Sequence, residues 1–270
     1  MSEKSSHKLL LVGRGKMGEA LQSGWEHSLP SLSITSVDPH SADANFKTLS
    51  DIPDGLGPFD CIVLAVKPQM MQDVLKDVLP FVQSGTLVIS IAAGKSISFY
   101  EESLGRQCSI VRVMPNTPAA IGYGMSVLYA NGNVTESEKA LASTLMKTVG
   151  LAEWISDEGL MDAVTAVSGS GPAYVFYLIE ALAKAGEAVG LSAELSMTLA
   201  RQTVAGSGAL VSQNETVPAA TLRQNVTSPG GTTEAALKVL MNDANGLTSL
   251  MTDAVNAARD RGRELAKQNS

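Results

Sequence analysis

Positive charge, cysteine, imidazole and aromatic rings are all scarce in this chain. Its 20 Lys and Arg are outnumbered by 27 Asp and Glu, for a net charge of −7. That balance leaves no electrostatic footprint for nucleic acid, and any positive patch must be local. No apolar run approaches the 18 residues of a membrane span, and the polar start, Met1 to His7, has no signal core. Neither a transmembrane helix nor a secretory leader is expected. The two cysteines, Cys61 and Cys108, stand in apolar or near-strand settings and read as buried free thiols of a cytoplasmic protein, not as a disulfide. The three histidines, His7, His27 and His40, all lie near the start, as tail or surface residues, and none is placed for acid–base catalysis. No metal site is assigned, and there is no repeat or low-complexity segment.

What is plentiful is small and apolar. Apolar residues make up 44% of 270, aromatics only 4%, and there are 24 glycines. The length suits one large or two modest domains with a substantial core. Small residues at this level suit tight helix packing and close approach of backbone to a ligand.

The stretch Lys8-Leu9-Leu10-Leu11-Val12-Gly13-Arg14-Gly15-Lys16-Met17-Gly18-Glu19-Ala20-Leu21 organises the first half. An apolar strand ends in Gly-x-Gly-x-x-Gly and a helix follows. Gly13 permits the turn, Gly15 lets the backbone approach a pyrophosphate, and Gly18 lets the helix pack on the strand. Free N–H groups and the helix dipole then face the anion, with Arg14, Lys16 and Met17 at the mouth. Asp38 lies 20 residues beyond Gly18, at the end of a second β-like run, Ser33 to Val37. This is the place of the acid that binds ribose in a dinucleotide site.

Strand and helix signals then alternate. The runs Cys61–Val66, Thr86–Ile91 and Ser109–Met114 read as strands buried on both faces. Helices are expected at about 69–79 and 98–104. Such alternation predicts a parallel, doubly wound sheet with its ligand at the carboxyl ends of the strands. Three strand ends are therefore candidate ligand loops: Ala65-Val66-Lys67-Pro68, Ala92-Ala93-Gly94 and Met114-Pro115-Asn116-Thr117-Pro118. In the third, two prolines hold an Asn-Thr pair at the sheet edge. A further strand at 125–130, a helix at 136–149 and a last strand at 151–155 complete this part, with a boundary near Ser156-Asp157.

Beyond the boundary the signals are helical. Asp157 can cap a helix to about Val167, which Ser168-Gly169-Ser170-Gly171-Pro172 interrupts. The next helix, 172–189, carries charge in one narrow stripe, Glu180, Lys184 and Glu187, and is apolar or small elsewhere. A helix apolar around most of its circumference is buried on several sides, here against another subunit. Ser192 caps a helix to about 211, a short helix starts at Pro218, another runs from Thr233 to Met241, and a last one carries the stripe Leu247, Leu250, Met251, Ala254, Val255 and Ala258. The charged tail, 259–270, is expected to be exposed. Two Ser/Thr/Gly motifs, Ser168 to Pro172 and Thr227 to Thr233, set hydroxyls and N–H groups at a helix start, where a carboxylate can bind.

These residues are familiar together. Ala65-Val66-Lys67-Pro68, Met114-Pro115-Asn116-Thr117-Pro118, Ser168-Gly169-Ser170-Gly171-Pro172-Ala173-Tyr174 and Ser228-Pro229-Gly230-Gly231-Thr232-Thr233 resemble the successive signatures of pyrroline-5-carboxylate reductase. The resemblance runs from Lys8 to Leu265. It implies an α/β Rossmann-type dinucleotide-binding domain, residues 1–156, followed by an all-α helical dimerisation domain, residues 157–270. It also implies reduction of the cyclic imine Δ1-pyrroline-5-carboxylate to L-proline with NADPH or NADH, the last step of proline synthesis. The implied assembly is a homodimer, with dimers assembling further into a ring. Thr233 takes the position of the family threonine that hydrogen-bonds the ring nitrogen. Ser168, Gly169, Ser170, Ser228, Gly230, Gly231 and Thr232 would join it around the substrate, whose carboxylate would rest at 228–232. Gly13 to Gly18, Asp38, Ala65 to Pro68, Ala92 and Asn116 would line the cofactor.

Two other readings differ in kind. The β-hydroxyacid dehydrogenases resemble this chain around Gly169-x-Gly171, but carry a catalytic Lys and then an Asn where Val175 and Leu178 stand here. Alcohol oxidation needs a base, and that Lys is missing. A non-catalytic dinucleotide-binding regulator would not need intact substrate motifs. On cofactor choice, Asp38 favours a free ribose 2′-OH, while Arg14, His40 and Ser41 can help to hold a 2′-phosphate.

Overall fold

In the computed structural model, residues 7–268 are described; the start of the polar leader, 1–6, and the end of the charged tail, 269–270, lie outside the described residues. The chain divides into two compact units. One comprises the residues through Gly169 together with those from Ala258 onward, and the other is Ser170–Ala257.

The first unit is built on a seven-stranded sheet in the order β2-β1-β3-β4-β5-β6-β7. In chain order these are β1 (Lys8–Val12), α1 (Lys16–Ser28), β2 (Ser33–Val37), β3 (Cys61–Leu64), α2 (Met71–Val78), β4 (Leu87–Ser90), α3 (Ile97–Leu104), β5 (Ser109–Met114), β6 (Gly124–Ala130), α4 (Glu136–Lys147) and β7 (Gly150–Trp154). Side chains alternate across each strand. Leu9 and Leu11 therefore face one layer with Leu21 and Trp25 of α1 and Leu145 of α4. Leu10 and Val12 face the other, with Met71 and Leu75 of α2 and Tyr100 of α3. Both thiols are free and buried.

The expected all-parallel sheet needs one correction. β1 to β5 are parallel, but β6 runs antiparallel to β5, pairing Val113 with Leu128. The reason lies in the connection. Only residues 115–123 separate the two strands, and a parallel crossover takes a dozen or more. β7 then pairs parallel with β6.

After the sheet, a 3₁₀ turn leads into α5 (Met161–Val164), then a π-helical turn, Thr165–Gly169. Asp157 caps this region by accepting from Gly159 N–H at 2.8 Å. The Ser168–Pro172 segment is therefore not the loop expected from its composition, because the π turn widens and passes directly into α6 (Gly171–Ala188). The compact division also falls later than residue 156. Glu158 accepts from Ile97 N–H at 2.8 Å and pairs with the Arg112 guanidinium of β5, which keeps this segment on the first unit.

The second unit is helical: α6, α7 (Ala193–Gln213), α8 (Ala219–Asn225), α9 (Thr232–Leu240) and most of α10 (Leu247–Gln268). Gly190 ends α6 with a φ of +101°, and Ser192 caps α7 by accepting from Leu195 N–H at 3.3 Å. The charged tail is part of α10 as far as Gln268. Among the described residues, no helix is long and apolar enough to cross a membrane.

Candidate active site

Parallel strands with the order β2-β1-β3 leave a switch point between β1 and β3, where successive connections depart in opposite directions. The glycine loop and Ala65-Val66 meet there. Gly13 holds a φ of +95° and donates to Val37 O at 2.8 Å. A Cβ on it would lie 2.8 Å from the Ala65 carbonyl. A Cβ on Gly18 would strike the carbonyl of Gly13. Both glycines are thus demanded by the fold itself. Gly15 is different. Its φ is an ordinary −69°, it is exposed, and a Cβ there meets nothing within 4 Å. The fold gives no reason for a glycine at this point, whereas an external ligand lying on the backbone does.

α1 starts at Lys16 with no side-chain cap, and the first backbone bond returning to the loop is Glu19 N–H to Gly15 O, at 2.8 Å. The N–H groups of Lys16, Met17 and Gly18 are left open, as at any uncapped helix start. Open donors, a positive helix end and clear space over Gly15 fit a pyrophosphate.

Asp38 ends β2 and binds the loop together. Its carboxylate accepts from Arg14 N–H at 2.6 Å, His40 N–H at 2.7 Å and Ser41 N–H at 3.0 Å. Partial burial pushes its pKa up, but the three N–H groups outweigh that and hold it below the usual carboxylate range. The Arg14 guanidinium reaches Gln22 Oε1 and Ser41 Oγ, each at 2.9 Å. His40 is exposed.

The other strand ends differ in what they present. Ala65 donates to Val12 O at 2.8 Å, Ala65 and Val66 are half-buried, and Lys67 is exposed before the turn that opens at Pro68. Ala92 is buried within the α2–α3 layer. Asn116 is engaged on both sides of its amide: Oδ1 accepts from Met125 N–H at 2.8 Å, and Nδ2 donates to Ser168 O and Ser168 Oγ, each at 3.3 Å. Ser168 and Gly169 therefore sit beside the end of β5, and a Cβ on Gly169 would run into Met114 Cε.

Within the second unit, Ser170 precedes α6 and makes no cap bond with its side chain. The Ser228–Thr233 turn spends two of its expected donors on itself. Gly231 N–H donates to Ser228 O at 3.0 Å, and Gly230 N–H donates to the Glu234 carboxylate. That bond, and then Lys238, hold the Glu234 pKa below its ordinary value. What remains open at the start of α9 is the N–H groups of Thr232, Thr233 and Glu234, since the first returning backbone bond is Ala235 N–H to Gly231 O at 3.2 Å. The Thr233 hydroxyl, half-buried one position inside the helix, has no partner among the described residues.

The description "Pyrroline-5-carboxylate reductase dimerisation" belongs to the family model that matches residues 158–265, and a model described as "NADP oxidoreductase coenzyme F420-dependent" matches residues 8–94. A curated pyrroline-5-carboxylate reductase of Pseudomonas aeruginosa is 40% identical to the chain, over 98% of each. This chain belongs to the pyrroline-5-carboxylate reductase family. A member from Glycine max is 38% identical over 97% of each chain. Among solved structures, the pyrroline-5-carboxylate reductase of Coxiella burnetii superposes with a TM-score of 0.87 at 34% identity, covering 97% of this chain and 99% of that one. The Plasmodium falciparum member, solved with NADP bound, has a TM-score of 0.79 at 34% identity, covering 96% and 98%.

Some residues that shape the first unit escape a reading by motif. Arg112, alone in the apolar run of β5, is buried and pairs with Glu158; its signal was the charge itself in a strand otherwise apolar. Lys95, just past Gly94, belongs to no motif. It is buried, with Nζ 4.0 Å from the Phe99 ring centroid, and burial draws its pKa down. Among the described residues, no three His, Cys, Asp or Glu side chains converge where a metal ion could sit.

Proposed function

We propose that this chain reduces Δ1-pyrroline-5-carboxylate to L-proline with NAD(P)H, closing proline synthesis in the cytoplasm. The unspent hydroxyl of Thr233, beside open N–H groups at the start of α9, carries this reading. The substrate brings one carboxylate and one C=N bond. Thr232 and Thr233 N–H, with the hydroxyls of Ser228 and Thr232, hold the carboxylate at the positive end of the helix. The Thr233 hydroxyl bonds the ring nitrogen and fixes the face of the imine. Ser168, Gly169 and Ser170 are the further residues assigned to the substrate. The cofactor, when bound, supplies the hydride. The loop from Gly13 to Gly18, Asp38, Ala65 to Pro68 and the β4 end at Ala92 fix its place. A cyclic imine is readily protonated near neutral pH, so the residues needed are those that orient and stabilise charge, and no strong acid is required. This accounts for a site without histidine.

Division of labour follows the sequence: nucleotide binding in residues 1–156, substrate and partner contacts in 157–270. A homodimer through the helical part is supported by exposed apolar side chains on α6, with Phe176 60% and Tyr177 67% accessible in the single chain. The reaction is tested by loss of the absorbance of NADPH and of NADH, in separate assays, on adding pyrroline-5-carboxylate. No loss with either cofactor, in folded protein that binds one of them, overturns the proposal. Sedimentation of the same sample separates dimer from monomer and from a ring of dimers.

A further inference from the structure

The amide of Asn116 has no freedom of orientation. Met125 N–H can only donate, so the atom facing it must be the oxygen; Ser168 O can only accept, so the atom facing it must be the nitrogen. The NH₂ group is thereby turned on Ser168, and it also donates to the Ser168 hydroxyl oxygen at 3.3 Å. A hydroxyl that accepts from an amide keeps its own proton for another partner. The residue sits in a π-helical turn, a geometry frequent at functional sites. Met114 Cε closes over Gly169 from the same strand end, so the β5 terminus grips the turn at two successive residues.

We propose that Asn116 is a positioning residue for the substrate. It presents the Ser168 hydroxyl as a hydrogen-bond donor to the carboxylate of the imino acid, and it takes no part in holding the cofactor. This rests on the reading of Ser168 as a substrate residue. It differs from the expectation that Asn116 lines the dinucleotide, because both ends of its amide are already engaged within the chain. The polarity matters more than the contact. The substitution Asn116→Asp keeps the acceptor for Met125 N–H but turns a carboxylate oxygen toward Ser168. The serine proton would then point back at that new carboxylate, away from the substrate, and leave an oxygen lone pair facing the substrate carboxylate.

The experiment compares Asn116→Asp, Ser168→Ala and the double variant, with Asn116→Ala in reserve should Asn116→Asp fail to fold. Ser168→Ala is expected to raise KM for pyrroline-5-carboxylate about tenfold, the loss of one hydrogen bond to a charged group. Asn116→Asp should raise it further, to roughly thirtyfold, because a donor becomes an acceptor. Asn116→Ala, which leaves the hydroxyl free to rotate, should have a smaller effect than either. In all variants kcat stays within about threefold and the NADPH Kd, read by fluorescence, within about twofold. On the Ser168→Ala background either Asn116 substitution should add little, since coupled residues are not additive. A raised NADPH Kd with unchanged KM would make Asn116 a cofactor residue and overturn the proposal. So would fully additive effects, or a silent Ser168→Ala beside a damaging Asn116→Asp. Wild-type protein that does not turn over pyrroline-5-carboxylate would overturn the reaction itself, and this inference with it.

Discussion

The two units of this chain treat similar helices in opposite ways. In the α/β unit, α2 is short and carries three charges, yet Met71, Leu75 and Val78 all vanish into the core. α6 in the helical unit is longer and far more apolar, yet Ala183 is its one buried side chain among the described residues. Across residues 170–257 the buried side chains are those of Ala183, Ser196 and Ala200. A layer of helices needs an apolar face to pack against, and within one chain this unit does not supply it. The sheet completes its own core on both faces, while the helical unit presents its apolar surface outward. The difference separates what must fold alone from what must meet a partner.

The largest expected effect tests that contrast directly. Phe176→Glu places a charge on the exposed apolar face of α6 and should weaken the proposed dimer about a thousandfold, or about 4 kcal/mol. Its melting should then depend on protein concentration, as mass action requires of a linked assembly. By comparison, Leu11→Ala, at a fully buried position of β1, should cost about 2–5 kcal/mol at any concentration. If sedimentation finds Phe176→Glu still dimeric, α6 does not form the interface.

Thr233→Ala comes next. The structure removes one competing account of this residue, since the helix cap is Gly231 and Thr233 makes no cap bond. The melting temperature should therefore hold. A charge-assisted bond to the ring nitrogen is worth roughly 1.5–3 kcal/mol. kcat/KM should fall about ten- to hundredfold while the NADPH Kd stays in place. A kinetically normal variant would remove Thr233 from the chemistry.

The glycine loop allows a sharper comparison within one motif. Gly15→Val should lower cofactor affinity by at least about tenfold, about 1.4 kcal/mol, with stability unchanged, because its Cβ meets open space. Gly18→Ala should do the reverse. Its Cβ strikes the Gly13 carbonyl, so stability should drop by about 1–3 kcal/mol. Calorimetry with and without NADPH distinguishes them, and equal melting temperatures for the two variants would contradict the assignment.

How far these parts were legible follows from the range of the interactions that make them. β1, β2 and β5 are continuous or alternating apolar runs bounded by loops, and their residues are local signals; the observed spans are those of the runs. The glycine motif is equally local. The reversal at β6 was also available, in the short connection after Met114, although strand composition alone does not carry direction. The π turn was not, because Ser-Gly-Ser-Gly has the composition of a break. What ties that turn to the end of β5 is Asn116, 52 positions away in sequence. Asn116 itself reads as a loop residue at a sheet edge, and only the fold shows that its amide is spoken for. The Ser228–Thr233 turn was legible from its composition and its place before a helix, but not that Glu234 takes the Gly230 N–H and leaves the first donors of α9 open.

The smallest effect concerns Asp38, whose three backbone partners join β2 to the glycine loop. Its folded pKa lies below the ordinary carboxylate value. A group depressed in this way stabilises the fold at pH above its unfolded pKa, near 3.9, and loses that contribution as pH falls through the lower folded value. Asp38→Asn keeps an acceptor oxygen but gives up the charge. The stability gap between wild type and this variant should then be widest near neutral pH, at about 1 kcal/mol or less because the site is partly exposed. It should narrow steadily below about pH 4. Chemical denaturation of both proteins across that range gives the gap at each pH. A gap that stays constant, or grows on acidification, would mean that Asp38 is not held as a charged acceptor by Arg14, His40 and Ser41. The loop would then owe its shape to Gly13 and its neighbours alone.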